Sequence, residues 1–550
     1  MSNLYFKRYL PIFISGLLIF SSCKKALDVP PSTELESNYF INENRVQRGI
    51  GSIYASLSNV YGANLGSQVS QSGETLHPLW LLQGDDLTTS GTTNSAYEAF
   101  SGFSPADGRV KQLWQKYYFL IARANFMLQK LEVPEISAVI TSPGFKGYFK
   151  GEALFLRAYA NFKLWDMFRK APIQSARIGS ISEAVLPPSK DFEMLDAAIT
   201  DLMESASILP ESWNQENKGR VFKNSAYGLL VKCYVIRADY ANQYQGGNRA
   251  QDYANAIDAF THITGESTLD GVPFGDNFDY RTENNLESLF EYQASHNQIS
   301  DNPWLDNDMG GPVGSFGAMY HYFDSHWGNY GSGGGSIGPS PKLRAMFNTQ
   351  DPRINETFKL AQNVDNVGGK LWWLGSAWNF FDGYQFVKYI NGERGDRYDV
   401  DFQIMSSNNP RILRLADVKL LAAEAYLETG DAANAAKQVN DVRKRARLST
   451  TDGIESPVPA DYATVDMQNI MDERLFELAG EENTRWSDLK RWHAAEYINL
   501  GTWTPVDFGY PFDPSLFSFD VNKHLLFPIP TSEVNSNPLM MASGNNPGYN

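Results

Sequence analysis

The sequence predicts a mainly α-helical protein, in which helix pairs form a scaffold that a long, irregular, loop-rich insertion and a few short strands interrupt. Apolar residues recur at helical spacing in segments such as 112–131, 148–168 and 415–426. In regions 61–105 and 268–409 this pattern gives way to glycine, asparagine, small polar and aromatic residues. Loops this long in a compact protein are usually functional, so we expect both regions to contact ligand.

Two neighbouring segments near the C-terminus give the clearest helix pair. An apolar stripe runs to Tyr426, and a second, alanine-rich stripe runs from Ala432 to Ala446. Gly430 can adopt the left-handed conformation that ends a helix, and Asp431 can cap the next one. This hairpin resembles a tetratricopeptide repeat. Because the hairpins do not recur at a fixed period, we expect helix pairs separated by insertions rather than a regular solenoid.

The first 22 residues resemble a bacterial lipoprotein signal peptide. Lys7 and Arg8 precede an apolar stretch, 9–20, that is shorter than the roughly 20 apolar residues needed to span a bilayer. Small residues then lead into Cys23, which we expect to carry a lipid anchor. The alternative is an ordinary signal peptide followed by a chance cysteine. No later segment is apolar enough to span a membrane.

Composition narrows the function classes. The chain has 550 residues and a formal net charge of −16, and an acidic surface disfavours nucleic acid as a partner. Its two cysteines, Cys23 and Cys233, can form neither a disulfide framework nor a structural zinc site. Cys233 lies in an apolar helical stretch, where we expect it to be a buried small hydrophobe.

No motif for catalysis, a metal or a cofactor emerges. The chain contains no P-loop, no His-Glu-x-x-His sequence and no Cys-x-x-Cys pair. Residues 334–338 match the letters of a nucleophile elbow but lack its strand and helix, and 306–308 does not fit a calcium loop. His321 and His326 have no partners in a metal-binding pattern. Carboxylates are plentiful, so a glycosidase pair stays open, although nothing singles one out.

Aromatic rings beside polar groups suggest carbohydrate, because rings stack on the apolar faces of sugars while carboxylates and amides bind the hydroxyls. Trp80 followed by Asp85 and Asp86 fits that pattern. The alternative is that Trp80 packs on the core and the aspartates cap a turn. The full set of candidate ligand-binding residues is Trp80, Asp85, Asp86, Trp304, Trp327, Tyr330, Trp372, Trp373 and Trp378. The tryptophans on helical stripes, expected in the core, are Trp114, Trp165, Trp486 and Trp492.

Several stretches resemble the SusD/RagB family of outer-membrane nutrient-binding lipoproteins, and the likeness covers nearly all of the mature chain. The most specific stretch has Glu473-Arg474, Glu477-Leu478 and the run 485–492. Further matches lie at 27–31, 39–40, 151–159, 198–210, 219–234, 414–426, 430–431, 439–446, 527–530, 537–538 and 546–549. The chain departs from the family at Asn483 and at Arg169-Lys170, where a glycine is usual, and at Asn545, where glutamine is usual.

The resemblance implies a signal peptide, 1–22, and a single SusD-like domain, 23–550. In it, four tetratricopeptide-like helix pairs, within about 107–265 and 410–495, support variable ligand-binding regions. It further implies a lipid-anchored protein of the outer membrane that faces the cell exterior, binds oligosaccharide or polysaccharide, and delivers it to a SusC-like TonB-dependent transporter without catalysis. Two alternatives are a glycoside hydrolase and a tetratricopeptide scaffold that binds only protein.

Overall fold

Ten helices of 11 residues or more form the frame of the described part of the chain. The computed structural model describes residues 36–61, 76, 78–89, 92–294, 337–360, 366–367, 370–371, 384–386, 388, 408–482 and 484–549. The long helices are α1 (Glu43–Ala55), α2 (Gly108–Leu131), α3 (Phe145–Phe168), α4 (Glu193–Ile208), α5 (Lys223–Asp239), α6 (Arg249–Thr261), α7 (Leu415–Glu428), α8 (Ala432–Leu448), α9 (Met467–Leu478) and α10 (Thr484–Ala494).

Shorter helical segments connect these helices and continue into the C-terminal tail. The short α-helices are Glu36–Tyr39, Ser58–Tyr61, Pro78–Leu81, Thr92–Glu98, Pro134–Ala138, Pro341–Met346, Ile354–Thr357, Val521–His524, Thr531–Ser536 and Pro538–Ser543. The 3₁₀ helices are Ile181–Ala184, Gln215–Asn217, Phe274–Phe278, Tyr280–Thr282, Leu500–Thr502 and Pro514–Leu516.

Side-chain caps fix where several of the long helices begin. At the start of α2, the Asp107 carboxylate accepts two backbone N–H hydrogen bonds, at 2.7 and 3.2 Å. At the start of α8, Asp431 accepts one from the Asn434 N–H at 3.1 Å, and Gly430 follows α7 with a φ of 86°. Each cap satisfies an N–H that has no partner within its helix. The helix pair predicted around Gly430 and Asp431 is confirmed.

Consecutive helices pack against one another along the chain. Helix α2 packs on α3, α3 on α4, α4 on α5 and α5 on α6, and α7 pairs with α8. Although the second insertion separates α6 from α7, α7 packs against both α5 and α6. The helices before and after this insertion therefore form one frame, and the predicted mainly helical fold with tetratricopeptide-like helix pairs is confirmed. Helix α1, outside the predicted scaffold, packs on α2 and α3.

The strands are short and form four two-stranded antiparallel sheets among the described residues. The pairs are β1 (Leu87–Thr89) with β3 (Ile337–Pro339), β2 (Ser288–Glu291) with β8 (Arg411–Arg414), β4 (Phe358–Leu360) with β7 (Tyr384–Phe386), and β5 (Asn366–Val367) with β6 (Lys370–Leu371). The pair β1–β3 joins the two insertions, and β2–β8 joins the second insertion to the strand that precedes α7. The pairs β4–β7 and β5–β6 lie within the second insertion.

The side chains assigned to the core from helical periodicity are buried. The four tryptophans of the helical stripes, Trp114, Trp165, Trp486 and Trp492, are at most 3% exposed. Cys233 is fully buried as a free thiol, as predicted. Burial raises the pKa of this thiol above its ordinary range, so it stays protonated and behaves as a small apolar group.

Arg169, one of the departures from the family pattern, follows α3 in a conformation that favours glycine. Its φ is 59°, and such positive values are strained for residues with a side chain. The guanidinium carbon lies 3.6 Å from the ring centre of Trp165 and 4.5 Å from that of Tyr240. These cation–π contacts between buried groups offset the backbone strain, and explain how the chain dispenses with the usual glycine.

A cluster of buried ion pairs joins β2, β8, α8 and α9. The Arg414 guanidinium donates to Glu287, Glu477 and Glu481, at 2.7, 2.5 and 2.7 Å from the nearest carboxylate oxygens. Arg445 of α8 binds the other oxygen of Glu287 at 2.6 Å and also contacts Glu477. All five side chains are at most 3% exposed. Burial of so many charges is tolerated because each carboxylate is paired and hydrogen-bonded.

A second buried cluster joins α5, α7, α9 and α10. Arg491 binds Asp239 at 2.7 Å, Glu424 at 2.6 Å and Asp488 at 2.9 Å. Arg474 binds the other oxygen of Asp488 at 2.7 Å. Burial raises the pKa of Asp239 to about 8, and the neighbouring charge of Glu424 adds to this rise. The helices of the frame are therefore held by charged contacts as well as by apolar packing.

Removing the charge of Arg414 should destabilise the frame. We expect Arg414→Met to lower the free energy of unfolding by about 3–5 kcal/mol, because it leaves three buried carboxylates without their shared partner. Arg414→Lys should fall between this variant and wild type, since an ammonium cannot reproduce the planar fork. Lys437→Met, which removes an exposed pair with Asp441, should cost less than about 1 kcal/mol. Urea denaturation measures all three, and equal stability of Arg414→Met and wild type would contradict the role assigned to this cluster.

Candidate functional site

A shared cluster of aromatic rings joins segments of the two insertions. Tyr61 and Trp80 belong to the first insertion, and Tyr292 belongs to the second. The ring centres of Tyr61 and Tyr292 are 6.1 Å apart in a stacked arrangement, and those of Tyr61 and Trp80 are 6.4 Å apart, edge to face. The Tyr61 hydroxyl also hydrogen-bonds to the hydroxyl of Tyr159 on α3. The cluster therefore holds a segment of each insertion against the scaffold.

The end of the second insertion is held beside an earlier part of the same insertion. Strand β2 lies within the insertion and pairs with β8, which follows it. Beyond the strands, the Tyr292 N–H donates to the Pro410 carbonyl at 3.1 Å, and the Ala294 N–H donates to the Asn409 side-chain oxygen at 2.7 Å. The chain thus departs from and returns to the frame at one point, so the length between can vary without moving α5 or α7.

The first insertion and the middle of the second share a sheet. Strand β1 of the first insertion pairs with β3 of the second, in the register Leu87 with Pro339 and Thr89 with Ile337. Next to β3, Ser340 donates from its hydroxyl to the Asp85 carbonyl at 2.6 Å and from its N–H to the Asp86 carbonyl at 2.9 Å. Segments of both insertions are therefore anchored together on one part of the molecule.

Asp85 lies inside this anchor rather than on an exposed loop. Its carboxylate contacts Arg485 of α10 through both oxygens, one of them at 2.9 Å, and Lys342 lies 2.6 Å away. Burial by itself would raise the pKa of Asp85. The charges of Arg485 and Lys342 outweigh burial and lower the pKa to about 2. The carboxylate is therefore ionised at neutral pH and balanced by two cations.

Asp86 is buried in a different environment. One carboxylate oxygen accepts the Gly480 N–H at 2.7 Å, and the other has no hydrogen-bond partner among the described residues. Burial raises the pKa of Asp86 to about 6, although the Gly480 bond opposes the rise, and the adjacent charge of Asp85 adds to it. The adjacent residues Asp85 and Asp86 thus have very different pKa values.

The structure corrects the sugar-binding role expected for Trp80, Asp85 and Asp86. Their exposed fractions are 2%, 0% and 2%, so none of them presents a ring face or a carboxylate to solvent. The physical reason is that Asp85 finds its partners in Arg485 and Lys342, far along the chain, and this pairing draws the loop inward. The alternative weighed for Trp80, packing on the core, is what the structure has. The aspartates, however, anchor α10 and Gly480 rather than cap a turn.

The remaining sequence candidates, Trp304, Trp327, Tyr330, Trp372, Trp373 and Trp378, lie outside the described residues, as does Cys23. Strand β6 ends at Leu371, directly before the Trp372-Trp373 pair. Sequence reasoning gave no role to Trp213 and Trp503, both of which are only partly buried in connecting segments. Trp213 could have been recognised as a candidate from the sequence, because it is a tryptophan in a polar connecting segment.

Within the residues that the structure describes, no group of three or more histidine, cysteine, aspartate or glutamate side chains is arranged to hold a metal ion. Over the same residues, no helix combines the length and apolar composition that crossing a bilayer requires.

The fold and the shared anchor of the insertions define a class of protein: a helical-repeat frame that carries variable loops. The family model described as "Starch-binding associating with outer membrane" matches residues 27–235, and the model described as "SusD family" matches residues 375–549. The chain belongs to the SusD/RagB family.

Curated relatives match over most of the chain. It is 24% identical to SusD-like protein P25 of Formosa agariphila, over 98% of this chain and 99% of that protein. It is also 24% identical to a SusD-like protein of Bacteroides ovatus, over 70% of this chain and 66% of the relative. The names of these relatives give their family and no particular ligand.

Solved structures share the fold. A "Laminarin binding SusD-like protein" has a TM-score of 0.66 at 22% identity, covering 92% of this chain and 100% of that one. Surface glycan-binding protein A from Bacteroides thetaiotaomicron, in complex with laminarihexaose, has a TM-score of 0.67 at 20% identity, covering 92% and 99%. A SusD superfamily protein from Parabacteroides distasonis has a TM-score of 0.69 at 21% identity, covering 94% and 100%.

The adjacent aspartates should give opposite pH signatures. The pKa of Asp85 is lowered from an ordinary 3.8 to about 2, so its ion pairs stabilise the fold above pH 3.8, and about 2 kcal/mol is lost as pH falls towards 2. Asp85→Asn should therefore be less stable than wild type at pH 7, and this deficit should shrink below pH 4. The pKa of Asp86 is raised to about 6, so wild type should lose stability relative to Asp86→Asn as pH rises from 4 to 6.

Urea denaturation of both variants and wild type between pH 3 and pH 7 measures these differences. Each variant serves as the control for the other, because both replace a buried carboxyl by an amide at neighbouring positions. Parallel pH profiles for the two variants would contradict the environments described for Asp85 and Asp86.

Proposed function

We propose that this chain is a non-catalytic surface lipoprotein that binds oligosaccharides through its two insertions and passes them to a SusC-like TonB-dependent outer-membrane transporter. The observation that carries the proposal is the common anchor of the insertions. Tyr61, Trp80 and Tyr292 pack together, and β1 with β3 joins the two insertions. A helical frame to which two long, polar insertions are anchored together suits a binding protein.

Carbohydrate as the ligand class is supported by family membership and by composition. One family description names starch binding, and two structures of the same fold bind laminarin or laminarihexaose. The regions 61–105 and 268–409 are rich in polar residues, and the second holds Trp304, Trp327 and the Trp372-Trp373 pair. With Trp80, Asp85 and Asp86 in the interior, the proposed contacts are the aromatic residues of the second insertion: Trp304, Trp327, Tyr330, Trp372, Trp373 and Trp378.

Binding without catalysis is supported by the state of the most prominent carboxylates. Asp85 and Asp86 are buried and engaged with Arg485, Lys342 and Gly480, so neither is positioned to attack or protonate a glycosidic bond. The acidic side chains around Arg414 and Arg445, which are Glu287, Glu477 and Glu481, are likewise buried. These carboxylates serve the fold.

The membrane attachment and the transporter complete the proposal. One family description names association with the outer membrane. The proposed anchor is a lipid on Cys23, exposed after removal of residues 1–22, with 23–550 forming one domain on the cell exterior. Capture beside a transporter at this location requires tethering, and a lipid chain contributes about 0.8 kcal/mol for each buried methylene.

Alanine replacement of the insertion tryptophans should weaken oligosaccharide binding without loss of stability. We expect Trp304→Ala, Trp327→Ala or Trp373→Ala to raise the Kd of the best ligand in a panel of laminari-, malto- and other hexasaccharides by about tenfold, or about 1.4 kcal/mol. Isothermal titration calorimetry measures the Kd, and thermal unfolding checks the fold.

Tyr234→Ala provides a matched control, because this ring is only partly buried and lies on the scaffold helix α5. Its Kd should equal that of wild type. Unchanged affinity in all insertion variants would contradict the assigned surface. Release of shorter sugars by the purified chain, abolished by a single carboxylate substitution, would instead establish a glycoside hydrolase.

Replacing the proposed lipid attachment site should release the protein from membranes. We expect Cys23→Ala to move the protein from the membrane fraction to the soluble fraction and to abolish incorporation of labelled fatty acid. Cys233→Ala is the matched control, because Cys233 is the other cysteine and is buried in α5. It should remain in the membrane fraction, and persistence of Cys23→Ala there would show that lipid on Cys23 is not the tether.

A further inference from the structure

A cavity of about 220 Å³ lies on the frame between two connecting segments. One wall is the connection between α4 and α5, which includes Trp213 and Gln215. The opposite wall is the turn at Asn284, Asn285 and Leu286, which leads into β2. One wall therefore belongs to the helical scaffold, and the other belongs to the described first part of the second insertion, 268–409.

Trp213 is held rigidly at this cavity. Its indole N–H donates to the Val221 carbonyl at 2.9 Å. The Arg220 guanidinium carbon lies 4.2 Å from its ring centre, and the rings of Phe145 and Tyr148 pack edge to face against it, with centres at 6.0 and 5.5 Å. A ring oriented by four neighbours loses little conformational entropy when a ligand contacts it.

Arg220 is itself fixed and neutralised. It binds both carboxylate oxygens of Glu152, at 2.5 and 2.9 Å, and the side-chain oxygen of Asn217 at 2.6 Å. Its charge is therefore matched inside the protein, and its role at the cavity is to position Trp213. A free anion has little to gain from a guanidinium already paired in this way.

The opposite wall is polar, and its charge is also matched. Glu291 is 1% exposed and is bound by Arg411 at 3.1 Å, by the Asn409 amide at 2.9 Å and by the Asn284 N–H at 3.1 Å. The Asn284 and Gln293 side chains exchange two hydrogen bonds of 2.9 Å. This wall is a preorganised amide surface rather than a charged one.

Exposed groups complete the lining. Leu286 is 55% exposed although it is a large apolar side chain, and it borders the cavity together with Trp213. Gln215 is exposed, and its carboxamide makes no hydrogen bond within the described chain. An aromatic ring, an exposed leucine and the carboxamide of Gln215 supply both kinds of contact that a sugar ring needs.

We propose that this cavity is a second carbohydrate subsite, which takes one or two rings of a neutral saccharide between Trp213 and the Asn284–Leu286 turn. The volume suits a short segment of a chain rather than a whole oligosaccharide. Arg220 and Glu291 are already paired, and the two exposed charged residues of the lining, Lys218 and Glu266, have opposite charges, so the lining favours neutral sugars over ionic ones. The subsite uses none of the tryptophans assigned to the insertions, so it extends the proposed function without requiring its aromatic contacts.

Fluorine NMR of the full chain, labelled with 5-fluorotryptophan and purified in detergent micelles, tests the subsite. The Trp213 signal is assigned by its absence in Trp213→Phe. Titration uses laminarihexaose, maltohexaose, cellohexaose, mannohexaose and xylohexaose, with oligogalacturonate as an acidic comparator. We expect at least one neutral sugar to shift the Trp213 signal in a saturable way, and oligogalacturonate to leave it unchanged.

The double variant Gln215→Ala/Leu286→Ala should reduce the apparent affinity at Trp213 at least fivefold while keeping the melting temperature, since both side chains are exposed. The matched control Gln251→Ala/Leu539→Ala removes exposed side chains of the same types outside the cavity and should behave as wild type.

Several outcomes would overturn the subsite: no shift at Trp213 with any neutral sugar, a response to oligogalacturonate alone, or equal affinity in the double variant. A shift at Trp213 without any at the insertion tryptophans would support the subsite and contradict the proposed binding by the insertions. The reverse pattern would support the insertions and remove the subsite, so the two proposals can fail separately.

Discussion

Arg414 lies where β2, β8, α9 and the turn before α10 meet, and its guanidinium links carboxylates from three of those segments. Glu287, Glu477 and Glu481 are excluded from water, so each would be costly to bury without this partner. Only one arrangement of the segments satisfies all of the charges together. Apolar packing tolerates small shifts between helices, whereas a forked guanidinium shared by three carboxylates does not. This geometry fixes the register of the frame around the second insertion.

Because the ion pairs of Arg414 fix the frame, the frame and the second insertion can have separate roles. Strand β2 within the second insertion pairs with β8 after it, and Glu287 and Arg414 join that pair to α8 and α9 through ion pairs. The chain between can differ in length and composition at little cost to the frame. The same logic accounts for the sequence stretch most specific to the family, which includes Arg474, Arg485 and Arg491. The charged side chains of this stretch are buried in ion pairs. The stretch therefore stabilises the scaffold and carries little information about the ligand.

The helical frame was largely predictable because its signals are local. Periodicity located the long helices, and Gly430 with Asp431 located a turn, as the structure confirms. The role of Asp85 was not predictable, since its partner Arg485 lies 400 positions away and nothing local distinguishes a buried carboxylate from one that binds sugar. Trp213 was overlooked for a related reason. Its value as a lining group comes from a turn near residue 285 that only the folded chain brings close.

The positions of the buried charges along the sequence also determine the order in which parts of the molecule can fold. Helices α2 to α6 contact their neighbours in sequence, so they can associate as soon as they are synthesised. Glu287 must wait for Arg414, which is 127 positions further on, and Asp85 must wait for Arg485. A chain that ends before α10 would leave Asp239 and Glu424 without Arg491, and Asp85 without Arg485. The core can therefore fold cooperatively only when nearly the whole sequence has been synthesised. The C-terminal helices complete a core whose other parts are synthesised earlier.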